Sequence, residues 1–526
     1  MSGIKIKSTA IYLPSIHGPG TMYKADDGSL EEKVLEELGP IRKGFAQVGR
    51  LSPFFNVRDL KPGEEKQLTK YQIRQRALAT KLQFETLEPV RKVLERAEFL
   101  REFIKKLPYY IQISGIKEKY TLDNSSKQDP LLDMGVYLVK KLMADNGLNA
   151  DQIDALYVST TTSRANDTEI ATRLQEKLWL MDNKSFPRTV IEKWKTKVIP
   201  EGCVGSINMM EEIENATSTG EIKTVIALSL ANNSIHMKGN NPHEIITYAD
   251  GGGGMLIIST NNAPGTISVS PLKKNLRHAT AVTHNMKEAK GKGLRERIES
   301  YFTSNILDSK KIALDISNRV PSYTLELMNS NQTKVNDFNH IFFSQTSANV
   351  IKRIEITIAE DYGKSIGVQN PQKGSEGIYD YFYKLVDSGK PIDTAIYQAL
   401  PDNERNLLEF MILLHDTVVR VYQIHGYTGV ASIPMALAHY VEEGLFDLEK
   451  DNALFVASGM GGKIQGAAML NSKPVIPTST ELKTENVIEE NGNGNGNGHV
   501  HPRSVTNRFK QWLLKIPVKV GFKNSK

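Results

Sequence analysis

Apolar and polar positions along the chain follow two alternating rhythms. Residues 4–14 read as an opening strand that ends at Pro14. From 30 to 106 the chain is rich in Glu, Lys, Arg and Leu at helical spacing, which predicts a helical insertion at about 25–106. A compact α/β grammar then returns. Met134, Leu138 and Leu142 recur one turn apart, Gly147 ends that helix, and ALYVS at 155–159 is a short buried strand. Helix, cap and strand come in the order that an α/β layer needs.

The same signature recurs later. NHIFFSQTSAN at 339–349 parallels DALYVSTTTSR at 154–164, each an apolar strand that opens into a hydroxyl-rich turn. IKTVIALSLANNS at 222–234 is echoed by NALFVASGMGG at 452–462. Two repeated halves are therefore expected, residues 1–260 and 261–472, the second interrupted by a polar, helix-like insert at about 364–414. Order is expected to end near residue 472. A linker follows at 473–498, containing NGNGNGNG, and then a basic amphipathic tail at 499–526 with Phe509, Trp512, Leu513 and Ile516 on one face. The tail is read either as a solvated segment or as a peripheral contact with a membrane or partner.

Composition narrows the class. With 526 residues, 40% hydrophobic and 24% charged, the chain can bury a large core. No apolar run is long enough to span a bilayer and the start is not secretory, so the expected address is cytoplasmic. The net charge of +6 is local: residues 499–526 hold seven basic residues and no acid, which leaves −1 on the rest and gives no support for nucleic-acid binding.

The single cysteine, Cys203, rules out an intramolecular disulfide and any zinc site built from several cysteines. It sits in VIPEGCVGSINMMEEIENA, where a short apolar run gives way to a helical pattern of Ile207, Met210 and Ile213. A thiol at a helix start meets unpaired N–H groups and the positive end of the helix dipole. Both favour thiolate, and the N–H groups can also hold an oxyanion. The competing reading is an inert buried side chain. Asp250 and the four glycines at 251–254 lack the GxxxxGK[ST] pattern of a phosphate loop and are read as a tight backbone turn. His340 and His425 are candidate bases or structural histidines. His236 and His243 have no metal-ligand spacing, and no metal is expected.

Six blocks, in order, resemble β-ketoacyl-acyl-carrier-protein synthase III. They are GIKEKY at 115–120, DMGVYLVKKLMADNGLNADQIDALYVSTTTS at 133–163, EGCVGS at 201–206, YADGGGGMLI at 248–257, HGYTGVASIPMAL at 425–437 and SGMGGKIQGAAML at 458–470. The resemblance frames 1–24, 107–363 and 415–471 and leaves the two inserts and the tail uncovered. It implies an α/β protein with a duplicated five-layer αβαβα thiolase fold and helical insertions. It also implies a cysteine at the Cys203 position that takes an acyl group from coenzyme A or an acyl-carrier protein. These thioesters are substrates, and no other cofactor is implied.

The family's His of HQAN and Asn of GNTS are replaced here by Thr346 of TSAN and Tyr427 of GYTG, which counts against decarboxylative condensation in the family's manner. Simple acyl transfer asks less. Its oxyanion hole is assigned by resemblance to the Cys203 N–H and the Gly461–Gly462 loop. Lys352 and Arg353 fall where the family docks its carrier protein, or else on a solvated helix face. Ser344, Gln345 and Ser347 make the surroundings of Thr346 rich in hydroxyl and amide groups. Two functions follow as expectations. One is an acyltransferase or modified ketosynthase of fatty-acid-like, polyketide or specialised lipid biosynthesis, usually a homodimer. The other is a catalytically reduced subunit that forms a heterodimer with an active homologue.

Overall fold

The computed structural model describes residues 3–38, 102–123, 129–160, 169–235, 242–260, 264–274, 309–368, 377–390, 392–459 and 463–471. Most of the first insert, the linker and the tail lie outside these residues. The chain divides into two compact units, and the described part of the second consists of 335–337, 355–368, 377–390 and 392–417.

The first unit is built on one continuous sheet. Its strands are β1 (Gly3–Tyr12), β4 (Ala155–Thr160), β5 (Lys195–Ile199), β6 (Thr224–Asn232), β7 (Asp250–Thr260), β8 (Thr266–Val269), β9 (Lys273–Lys274), β10 (His340–Phe343), β11 (Ala453–Gly459) and β12 (Lys463–Leu470). A separate pair joins β2 (Gly20–Lys24) to β3 (Glu118–Leu122). The order across the large sheet is β10-β11-β12-β8-β1-β7-β6-β4-β5, with β9 on β12.

This order is one motif used twice. In the first half β4 runs parallel to β5 and β6, β6 is antiparallel to β7, and β7 is antiparallel to β1. In the second half β10 is parallel to β11, β11 antiparallel to β12, and β12 antiparallel to β8. The place of β5 is reduced to a single parallel bridge, Ile341 to Val418. The echoes seen in the sequence are thus β4 with β10 and β6 with β11.

The labelled helices are α1 (Pro130–Asp145), α2 (Ile170–Met181), α3 (Gly205–Ser218), α4 (Ser309–Ser330), α5 (Ala348–Ser365), α6 (Ile378–Ser388), α7 (Thr394–Ala399), α8 (Asp402–Thr417) and α9 (Ser432–Glu442). α1 begins with Asp129 accepting from the Leu131 N–H and Pro130 in the first turn, a cap and a preset φ in the expected places. Two apolar cores follow from the period-2 alternation of the strands. On one side α1 and α2 pack Leu138, Leu142, Leu174 and Leu178 against Leu156, Val158 and Leu228. On the other, Ile207, Met210 and Ile213 of α3 and Ile433 and Leu437 of α9 share a core with Tyr157, Val225 and Met255 of the first half and Phe342, Phe455 and Ala467 of the second. α3 and α9 are therefore the central layer of an αβαβα arrangement, the thiolase fold.

The glycine run corrects the sequence reading: residues 251–254 form the start of β7, not a turn. Added Cβ atoms would lie 2.6 Å from the Met435 methyl at Gly251 and 2.6 Å from the Pro434 Cβ at Gly253, both on α9. At Gly252 and Gly254 they would lie 2.5 Å from the Met134 sulfur and 3.1 Å from a Leu142 methyl, both on α1. The bare strand lets a helix close directly on each face.

In the second unit α6, α7 and α8 gather their own core of Phe382, Tyr397, Leu407, Leu408 and Met411. Buried Glu355 accepts from the Tyr383 hydroxyl at 3.1 Å and lies 3.3 Å from His415 Nδ1.

Candidate active site

The thiol is placed by a turn. Gly202 has φ +64°, a conformation that costs glycine little, and it sends the chain into the 3-10 turn Gly202–Val204 and then α3. Cys203 is half-buried and in no disulfide, while the next residue, Val204, is fully buried and anchors the turn. Room for the turn comes from Gly205, while Gly459 lies close by with space for an ordinary contact. A Cβ on Gly205 would lie 2.2 Å from Ser159 Oγ and 3.1 Å from a Val430 methyl. One on Gly459, at the end of β11, would lie 3.6 Å from both Cys203 Cβ and the Val204 nitrogen.

The phenol of Tyr427 is hydrogen-bonded to the Cys203 side chain. Burial, then the neighbouring Cys203 and Tyr248, hold this phenol well above its ordinary range, so it keeps its proton and acts as donor to sulfur. Its backbone is fixed by a short parallel bridge: the Tyr427 N–H donates to Thr247 O at 2.7 Å and the Ala249 N–H donates to Tyr427 O at 2.9 Å. Buried Asn233 donates from Nδ2 to both Ala249 O, at 2.9 Å, and Tyr427 O, at 3.3 Å. The ring of Tyr248 lies 5.1 Å from that of Tyr427. Asp250, next in line, accepts from Leu122 N at 2.7 Å and from Ser234 N at 2.8 Å, which secures the strand that follows.

Thr346 follows β10. The Ser344 N–H donates to Val456 O at 3.1 Å and the Ser458 N–H donates to Ser344 Oγ at 3.0 Å, so the end of β10 runs beside the end of β11 that carries Gly459. Thr346 Oγ1 is buried without a hydrogen-bond partner, an unused donor and acceptor. Gln345 is a brace: its amide donates to Phe343 O and Val419 O and accepts from Val421 N at 2.9 Å. Ser347 O accepts from Ile351 N and so belongs to the start of α5. Lys352 is half-buried and Arg353 exposed, both on α5.

Of the two candidate histidines, His340 is structural: Nε2 lies 3.0 Å from Leu445 O and the ring packs on Phe342, Tyr440 and Phe446. His425 is buried, with the His439 ring 4.9 Å away. Burial, and then His439, push its pKa down to about 3, so the imidazole stays neutral. Gly461, Gly462 and His236 lie outside the described residues, as does the His243 side chain. Among the described residues no cluster of His, Cys, Asp or Glu could hold a metal, and no helix is long and apolar enough to cross a membrane.

Residues 398–470 match the family model described as 3-oxoacyl-[acyl-carrier-protein (ACP)] synthase III C terminal. Among curated relatives, the beta-ketoacyl-[acyl-carrier-protein] synthase III of Clostridium perfringens (strain SM101 / Type A) is 22% identical over 383 residues, 72% of this chain and 95% of the relative. That of Ehrlichia ruminantium (strain Gardel) is 19% identical over 246 residues, 47% of this chain and 70% of the relative. At these identities the chain is similar to the synthase III proteins without reaching close relationship. Solved structures agree on the fold of this synthase III-like chain. The 3-oxoacyl-(acyl carrier protein) synthase III of Pseudomonas aeruginosa PAO1 superposes with a TM-score of 0.54 at 11% identity, covering 90% of this chain and 99% of that one. OleA of Xanthomonas campestris, solved with lauric acid and lauroyl-CoA, gives 0.51 at 11% identity, covering 89% and 99%.

The synthase III-like site thus joins Cys203 and Tyr427 directly and sets Thr346 on the neighbouring strand end. Tyr248, Asn233 and Gly459 were not singled out in the sequence. Tyr248 lies in the YADGGGG block, but its pairing with Tyr427 is long-range and leaves no local pattern.

Proposed function

We propose that the protein is an acyltransferase in which Cys203 accepts an acyl group from a coenzyme A or acyl-carrier-protein thioester. The observation that carries the reading is the hydrogen bond from a buried, protonated Tyr427 to a half-buried sulfur at the start of α3. A donor aimed at sulfur stabilises its thiolate. The thiolate attacks the thioester carbonyl carbon and a new carbon–sulfur bond forms. The bond to the carrier sulfur breaks, and the departing thiolate takes up a proton. Backbone N–H groups at Cys203 and, by resemblance, Gly461–Gly462 hold the transient oxyanion. Lys352 and Arg353 are assigned to an acidic carrier protein. The acyl group then passes to an amine, alcohol, carbanion or carrier-bound acceptor in fatty-acid-like, polyketide or specialised lipid biosynthesis. A cytoplasmic homodimer belongs to this reading.

Intact-mass measurement after incubation with acetyl-, octanoyl- and palmitoyl-coenzyme A tests it. One acyl adduct per chain is expected, absent in Cys203→Ala. No adduct with any donor, or an equal one in the variant, ends the proposal.

A second reading is favoured by one observation: Thr346 and Tyr427 stand where the family's His and Asn would be. In it the chain is a catalytically reduced subunit paired with an active homologue. Recovery of the acylating protein as a homodimer without such a partner would count against it.

A further inference from the structure

Two residues before the thiol, Glu201 receives the Lys463 ammonium at 2.7 Å, with both side chains about three-quarters shielded from solvent. The two ends of this ion pair belong to the two pieces of backbone that meet at Cys203. Glu201 precedes the Gly202 turn that carries the sulfur. Lys463 opens β12 and is paired across the hairpin with Gly459, the residue against which Cys203 and Val204 pack. The pair therefore ties the approach to the Cys203 turn to the opening of β12.

We infer that the Glu201–Lys463 pair is a clamp that fixes the aim of the Cys203 sulfur, making both residues positioning residues for acyl transfer. The inference rests on the proposed role of Cys203. The effect of the clamp is geometric: it holds the nucleophile's turn against the end of β11, so that sulfur and backbone donors stay in register.

The pair allows a sign test. Glu201→Gln removes a negative charge and Lys463→Gln a positive one, so a purely electrostatic role would move thiol reactivity in opposite directions. A clamp lost from either end gives the same result. Single-turnover acylation by octanoyl-coenzyme A should fall roughly tenfold in each variant and no further in the double variant, as for one shared interaction. Lys463→Arg, which keeps charge and reach, should stay near the wild-type rate. Melting temperatures should stay within about 2 °C of wild type, since partly exposed pairs add little to stability.

The pH profile of iodoacetamide alkylation, which needs no acyl donor, separates the two roles. A midpoint displaced upward in one variant and downward in the other would replace the clamp with a field effect. Acylation at the wild-type rate in either glutamine variant, or losses that add in the double variant, would overturn the inference. A wild-type protein that forms no adduct at all would instead refute the role of Cys203 itself.

Discussion

The duplicated fold contains the turn that carries Cys203 twice. In the first half Gly202, at φ +64°, opens the 3-10 turn Gly202–Val204 into α3. In the second Gly429, at φ +59°, opens Gly429–Ala431 into α9. The two turns share backbone and differ in what they carry. Cys203 is half-buried beside the backbone of Gly459, whereas its counterpart Val430 is fully buried and packs towards Gly205. The first turn leaves a thiol half-buried at a helix start, and the second fills the space behind it and follows the flanking Tyr427. Geometry alone therefore does not make the site; it needs a thiol on one copy and a donor delivered from the other.

The largest effect should come from making the turns alike. Cys203→Val should abolish acyl adducts and all thiol alkylation, since the chain has one cysteine. Intact mass checks both, and residual acylation would break the comparison.

Next comes the sealed flank of the second turn. His425 has a folded pKa of about 3 against 6.5 when unfolded, so its contribution is complete above pH 6.5 and is lost as pH falls toward 3. The total should be on the order of 4–5 kcal/mol by linkage. Denaturant unfolding between pH 7 and 4 should show a steeper acid loss in wild type than in His425→Phe, and equal slopes would refute the assignment.

Tyr427→Phe removes the donor from the second half while keeping the ring. Acylation should slow by roughly a hundredfold, the scale for losing one active-site donor, with the alkylation midpoint moved to higher pH. An unchanged midpoint would mean that the phenol does not act on sulfur.

The smallest effect concerns space. Ser432, the second-half counterpart of Gly205, carries a Cβ where the first half has no room for one. Gly205→Ala must displace Ser159 Oγ from its 3.1 Å bond to Ile199 O, at a cost of about 1–3 kcal/mol, whereas Ser432→Ala should be near neutral. Chemical denaturation of the two variants makes the comparison.

Much of this architecture was legible because local period and global fold agree. The Met134, Leu138, Leu142 stripe became α1, ALYVS became β4, and both internal echoes became matched strands. The glycine run was misread because glycine carries no strand propensity of its own, and the reason for it lies in α1 and α9, far away in sequence. The position of Cys203 at a helix start was readable locally. Its hydrogen bond to Tyr427 and the clamp from Glu201 to Lys463 were not, since pairing between distant segments leaves no period to detect.

The bare stretch of β7 has a mechanical consequence. Positions 251 and 253 face α9, which follows the second turn, and positions 252 and 254 face α1. A single methyl added at one parity or the other would push first on a different helix, α9 from 251 or 253 and α1 from 252 or 254, so four adjacent residues load two layers of the molecule in turn.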